Sequence, residues 1–169
     1  MKRFCLLFIM CQVAGILAAQ GRHTVQTQMQ FKYLTINEGL SNNRVYSICQ
    51  DYRGLIWFAT DNGLNKFDGK KITYYKHNPN DSTSIVSDDI DVVYSDSENN
   101  LWIGCSNGLN LYNRDLDNFK RFTHKDLKEP MGIVEDIVED KEGKLWIGSS
   151  SGLYSYDLPP GLDIDLPNF

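Results

Sequence analysis

Residues 140–157 read DKEGKLWIGSSSGLYSYD, and two earlier segments of the chain repeat this pattern. In each copy an aspartate stands six residues before a tryptophan, and a Gly-Leu pair begins six residues after it. The three tryptophans are 45 and 44 residues apart, which is the period of a four-stranded propeller blade. The anchors of the three copies are Asp51, Trp57, Gly63, Asp96, Trp102, Gly108, Asp140, Trp146 and Gly152.

Each copy is typical of short antiparallel strands joined by tight turns. A β-branched run such as Val45–Cys49 predicts an inner strand, and the apolar residues around each tryptophan predict a second strand buried on both faces. The glycine before each third strand predicts a hairpin with positive φ. The sequence therefore predicts an all-β fold, a partial β-propeller of about three four-stranded blades within residues 29–157. The blades are expected at about residues 41–78, 86–125 and 130–157.

The flanks of the repeats carry further expectations. Residues 31–35 are typical of an outer strand that lacks the three strands before it, so its partner should lie in a closing blade elsewhere. Residues 158–169 lack the aromatic spacing of the other outer strands and are predicted to be a degenerate tail. Within the second strands, we expect Ala59, Gly104 and Gly148 to leave room beside the large indole rings.

The repeat resembles the two-component regulator propeller family, whose units read roughly N-x-V-x-x-I-x-x-D-x-x-G-x-L-W-I-G-T-x-x-G-L-x-x-Y-D. Residues 140–148 and 152–157 follow this pattern closely, and the resemblance extends from Phe31 to Asp157. It implies the periplasmic ligand-sensing region of a hybrid two-component histidine kinase, with seven-bladed rings and oligosaccharide ligands. Three blades are too few to close a ring. We therefore expect a truncation before the membrane helix and the kinase, with the remaining blades or another copy of the chain as partner.

The first 19 residues have the pattern of a signal peptide. Lys2 and Arg3 precede an apolar stretch, Phe4 to Leu17, and small residues before Gln20 suit signal peptidase. The sequence thus predicts export to the periplasm with a mature start near Gln20. An uncleaved anchor and a lipoprotein anchor at Cys11 are the alternatives.

Composition and residue spacing argue against several function classes. The net charge of −5, from 17 basic and 22 acidic residues, argues against a nucleic-acid partner. Cys49 and Cys105 occupy different repeat positions and are expected to be unpaired, small buried residues. No nucleophile motif, kinase motif or metal-ligand spacing occurs, so we expect no catalytic residue, no metal and no cofactor.

Ligand contacts are expected where the repeats differ, because the repeated anchors have structural roles in turns and blade packing. The loops that enter the first two inner strands supply the candidates Asn42, Asn43, Arg44, Asp88 and Asp89. Their polar groups suit a sugar, although polar residues are also usual in solvated loops. Two other functions stay open: a propeller enzyme of the polysaccharide lyase or glycoside hydrolase type, and a gene remnant without function.

Overall fold

The structure is a computed structural model that describes residues 29–122 and 131–157. The chain divides into two compact units, residues 1–33 and 34–169, and all of the sheets belong to the second unit. The predicted signal peptide and the predicted degenerate tail lie outside the described residues.

The second unit contains three antiparallel sheets, which confirm the all-β prediction of a partial propeller. Each sheet corresponds to one sequence repeat, and its strands are joined in chain order by hairpins. Blade 1 has four strands: β1 (Val45–Gln50), β2 (Ile56–Thr60), β3 (Gly63–Phe67) and β4 (Ile72–Tyr75). Blade 2 has four strands: β5 (Ile90–Ser95), β6 (Leu101–Cys105), β7 (Gly108–Asn113) and β8 (Asn118–Phe122). The described part of blade 3 has β9 (Val134–Glu139), β10 (Lys144–Ser149) and β11 (Gly152–Asp157).

The hairpins between the second and third strands adopt the predicted backbone conformation. Gly63, Gly108 and Gly152 have φ values of 109°, 128° and 138°, a region that residues with a Cβ rarely adopt. The side chain three residues before each glycine donates to that glycine's carbonyl oxygen. The three donors are Thr60 at 2.7 Å, Cys105 at 3.1 Å and Ser149 at 3.0 Å. Cys105 thus takes the place of a hydroxyl residue in its repeat.

The blades stack through two opposite sheet faces. We call the face that packs against the following blade the leading face, represented in blade 1 by Trp57 and Leu64. The face that packs against the preceding blade is the trailing face, represented in blade 2 by Val93 and Ile103. The leading face of blade 2 packs in the same way on blade 3, with Trp102 among the buried residues. Two apolar interfaces therefore hold the three blades together.

Close packing between blades also explains Gly104, and here the sequence interpretation was wrong. A Cβ at Gly104 would lie 2.5 Å from a methyl carbon of Val134 in blade 3 and 2.6 Å from one of Val92. The glycine makes room for the neighbouring inner strand and not for the indole. Gly148, at the same repeat position, has no such neighbour among the described residues, because a Cβ there would lie 3.8 Å from Asp136 Cβ, its nearest contact.

Residues 31–35 do not form the predicted outer strand within the described part of the chain. Phe31 and Tyr33 are largely exposed. The chain then forms a 3-10 turn over Ile36–Glu38, capped by reciprocal hydrogen bonds between Thr35 and Glu38. A β-strand needs a neighbouring strand as hydrogen-bond partner. The closing blade that should supply this partner is not among the three described sheets, so the pairing of residues 31–35 stays a prediction.

Candidate functional site

The aspartate and tryptophan anchors form the same bond in every repeat. The indole Nε1 donates to an aspartate Oδ2 at 3.0 Å in blade 1 and at 2.7 Å in blades 2 and 3. The other carboxylate oxygen accepts backbone N–H groups of the following turn, such as Arg53 N and Leu55 N on Asp51. One carboxylate therefore closes the turn and fixes the indole. The sequence indicated the turn role but not the bond to the indole.

Asp51 also accepts a hydrogen bond from the second blade. Arg114 Nη1 lies 2.7 Å from Asp51 Oδ2, and the Asp51 side chain is fully buried. The Arg114 guanidinium also lies 4.8 Å from the centre of the Tyr52 ring. Burial alone would raise the pKa of Asp51, but the hydrogen bonds from Trp57, Arg114 and Leu55 outweigh it and lower the pKa. The ionised side chain of Asp51 therefore links blade 1 to blade 2 through Arg114.

A second link between blades 1 and 2 is the cluster of side chains around Lys66. Its Nζ lies 5.0 to 5.5 Å from the ring centres of Trp57, Tyr75 and Tyr112 and 2.8 Å from Asp117 Oδ1. The two tyrosine hydroxyls donate to the same Asp117 oxygen. Burial alone would raise the pKa of Asp117, but hydrogen bonds from Lys66 and the tyrosines lower it. Because Asp117 lies 51 residues after Lys66, this cluster could not be predicted from the sequence.

Two buried asparagines, which the sequence interpretation missed, hold the chain segments that enter blades 1 and 2. Asn65 Oδ1 accepts Ser41 N and Asn110 Oδ1 accepts Val86 N, both at 2.9 Å. Both amides also donate to carbonyl oxygens of their own second strands. The recurring Gly-Leu-Asn in the first two repeats was the available signal. The third repeat has Tyr154 at this position.

The predicted ligand residues of the first entry loop lie next to one another but are partly engaged in local bonds. Asn42 Oδ1 accepts Arg44 N, and Asn43 Oδ1 accepts Ile36 N, each at 2.9 Å. The Arg44 guanidinium lies 4.8 Å from the centre of the exposed Tyr46 ring. This loop therefore presents one cation, one aromatic ring and two amide groups.

The second entry loop is acidic. Asp88 Oδ1 accepts His77 N at 2.6 Å, and Lys76 Nζ lies 3.8 Å from Asp88 Oδ2. Asp89 is exposed, and no hydrogen bond or ion pair of its side chain occurs within the described residues. Burial and the nearby charges of Asp89 and Glu135 raise the pKa of Asp91. The structure forms no hydrogen bond or ion pair between the two entry loops in residues 29–122 and 131–157.

The remaining expectations concern cysteines, metals and membrane spans. Cys49 and Cys105 are unpaired, and burial raises the pKa of Cys105 to about 11. Among the described residues, no group of three His, Cys, Asp or Glu side chains could hold a metal ion. In the same part of the chain, no helix has the length and apolar character that crossing a bilayer requires.

Comparison with known proteins agrees with the repeat geometry. The sequence profile of the family described as two component regulator propeller matches residues 39–62 and 129–151. The chain carries two-component regulator propeller repeats. A segment of 55 residues is 51% identical to histidine kinase P4 from Formosa agariphila, covering 32% of this chain and 4% of that protein.

Two solved structures share the arrangement of these regulator propeller repeats. Both are extracellular domains of putative hybrid two component systems from B. thetaiotaomicron. The first has a TM-score of 0.61 and 35% identity, over 69% of this chain and 17% of that one. The second has a TM-score of 0.61 and 23% identity, over 77% and 19%, and supports the fold alone. The chain thus spans under a fifth of the length of these two structures.

Proposed function

We propose that this chain is part of the periplasmic ligand-sensing propeller region of a hybrid two-component regulatory system. The observation that carries the proposal is the 35% identity, over 69% of the chain, to the extracellular domain of a putative hybrid two component system. The 51% identity to a segment of a histidine kinase supports the same assignment. In this proposal the described blades bind a ligand and have no catalytic role.

Oligosaccharides are the proposed ligands, and the entry loops at Asn42–Arg44 and Asp88–Asp89 are the proposed contacts. The first loop combines amide groups with a guanidinium stacked on an exposed tyrosine. Such a surface supplies hydrogen bonds to hydroxyl groups and a flat ring for a sugar face. The exposed Asp89 carboxylate adds an acceptor that no other described side chain uses.

The test is ligand-dependent stabilisation of the purified chain. A panel of neutral and acidic oligosaccharides is screened by thermal unfolding, because a ligand that binds only the folded state raises its stability. At about 100 times its Kd such a ligand adds about 2.7 kcal/mol. We expect Arg44→Ala to abolish the stabilisation and Lys70→Ala, an exposed change outside both loops, to preserve it. A panel that leaves the melting temperature unchanged would contradict the proposal.

A further inference from the structure

A polar cleft opens between blades 1 and 2, and one of its lining residues, Lys76, is paired with Asp88 of the second entry loop. Its volume is about 300 Å³, and it shares no lining residue with the loops at residues 42–44 and 87–89. We call it the rim cleft and define it by Tyr75, Asn78, Asp81, Thr83, Asp117 and Phe119. This volume is at the lower end of the range for small-molecule sites, which suits one or two sugar rings.

The loop that forms one wall of the rim cleft is held in a fixed shape. Arg121 donates to Ser84 O at 2.6 Å and to Asp81 O at 2.7 Å. Ser84 Oγ accepts Asn78 N at 2.8 Å, and Phe119 N donates to Thr83 O at 2.8 Å. A wall fixed before binding loses little conformational freedom when a ligand arrives.

Several polar groups around the rim cleft have unused hydrogen-bonding capacity. Asp81 Oδ1 accepts both the N–H and the hydroxyl of Thr83, and Asp117 Oδ1 accepts from Lys66 and two tyrosines. Asn78 Oδ1 accepts Asn80 N. In the described part of the chain, the second oxygen of each carboxylate and the amide nitrogen of Asn78 have no hydrogen-bond partner.

The charge of the rim cleft defines the class of ligand. Two carboxylates, Asp81 and Asp117, line the cleft, and the cations around them are already paired. Lys66 is paired with Asp117, Lys76, which also lines the cleft, is paired with Asp88, and Arg121 is bound to loop carbonyls. No unpaired cation among the described lining residues is left to attract an acidic sugar. Hydrogen bonds from Thr83 lower the pKa of Asp81, so its carboxylate is ionised at neutral pH. Ionised carboxylates with a free oxygen are strong acceptors for hydroxyl groups.

We propose that the rim cleft is a second binding site, which takes a neutral mono- or disaccharide. Asp81 and Asp117 accept hydrogen bonds from sugar hydroxyls, and Asn78 donates one to a sugar oxygen. The rings of Tyr75 and Phe119, whose centres are 5.2 Å apart, supply the apolar part of the lining. This inference goes beyond the proposed function, because it assigns binding to residues outside the entry loops.

Three matched Asp→Asn variants of the chain test the site by calorimetry with maltose and cellobiose. Asp81→Asn keeps the oxygen that Thr83 uses and replaces the unused acceptor with a donor. We expect it to weaken binding about tenfold, as for a lost hydrogen bond to a charged group. Asp89→Asn, in the entry loop, and Asp115→Asn, an exposed change outside the rim cleft, should retain the affinity. Asn78→Asp, which keeps the acceptor for Asn80 N and loses the donor, should weaken binding similarly.

Each result is decisive for the rim cleft. A loss of disaccharide affinity in Asp81→Asn and Asn78→Asp alone supports binding in the rim cleft. Loss in Asp89→Asn alone overturns it and assigns the disaccharide to the entry loops of the proposed function. An absence of binding by the wild-type chain up to about 10 mM, the weak end of useful affinities, also overturns it, while the oligosaccharide panel tests the proposed function separately. Tighter binding of digalacturonic acid would refute the neutral-ligand assignment.

Discussion

At the scale of single residues, the anchor aspartate of each repeat uses its two carboxylate oxygens differently. One oxygen accepts backbone N–H groups of the turn, and the other accepts the indole N–H. The bond from the indole Nε1 persists in blade 3, where Trp146 is 36% exposed, as well as in blade 1, where Trp57 is fully buried. The Asp–Trp pair is therefore a property of the local turn, and blade stacking is not needed to form it. What differs between repeats is the surroundings of the aspartate.

Asp51→Ala should destabilise the chain much more than Asp140→Ala. Asp51 is fully buried and its removal leaves the charge of Arg114, 12% exposed, without its partner. Breaking a buried pair in this way costs about 3 to 5 kcal/mol. Asp140 accepts the same local bonds, but it has no partner from another blade among the described residues. Urea unfolding measures the free energy of unfolding of both variants. Equal losses of stability would show that the ion pair between Asp51 and Arg114 contributes nothing.

At the scale of strands and blades, the sequence was informative wherever a feature depends on neighbours within one repeat. The hairpin glycines and the alternation of strands were readable because a few consecutive residues determine them. The role of Gly104 was not readable, since it depends on how near Val134 of another blade comes. The cluster around Lys66 was hidden for the same reason. Ligand residues remain predictions, because a loop's polarity alone does not distinguish binding from solvation.

Gly104→Ala should destabilise the chain, while Gly148→Ala should be tolerated. The added methyl group at residue 104 would lie 2.5 Å from Val134, so that blades 2 and 3 must move apart. Overpacking of this kind typically costs about 1 to 3 kcal/mol. At residue 148 the added methyl group would lie 3.8 Å from Asp136 Cβ, which is an ordinary van der Waals contact. Thermal unfolding compares the two variants, and a stable Gly104→Ala variant would mean that the blade interface is loosely packed.

At the scale of the molecule, the described blades leave one leading face and one trailing face without a neighbour. Leu153 of blade 3 has the position of the buried Leu64 and Leu109, yet it is 69% exposed. Ile48 of blade 1 has the position of the buried Val93 but is 66% exposed. A leading face packs against a trailing face at both blade interfaces inside the chain. The free leading face of blade 3 and the free trailing face of blade 1 should therefore be complementary. The expected partners are further blades or a second copy bound head to tail.

We therefore expect the chain to self-associate with rising concentration, and mixed variants can identify the geometry. Ile48→Glu disables the trailing face and Leu153→Glu the leading face, so each variant alone should sediment as a monomer. Mixed in equal amounts they should form a dimer, since the intact leading face of one meets the intact trailing face of the other. Leu116→Glu, at an exposed residue of the β7–β8 hairpin, is the control that should associate like wild type. A mixture that stays monomeric while wild type associates would contradict head-to-tail packing, because the mixture still contains one intact leading face and one intact trailing face. If like faces paired instead, one of the two variants would associate on its own.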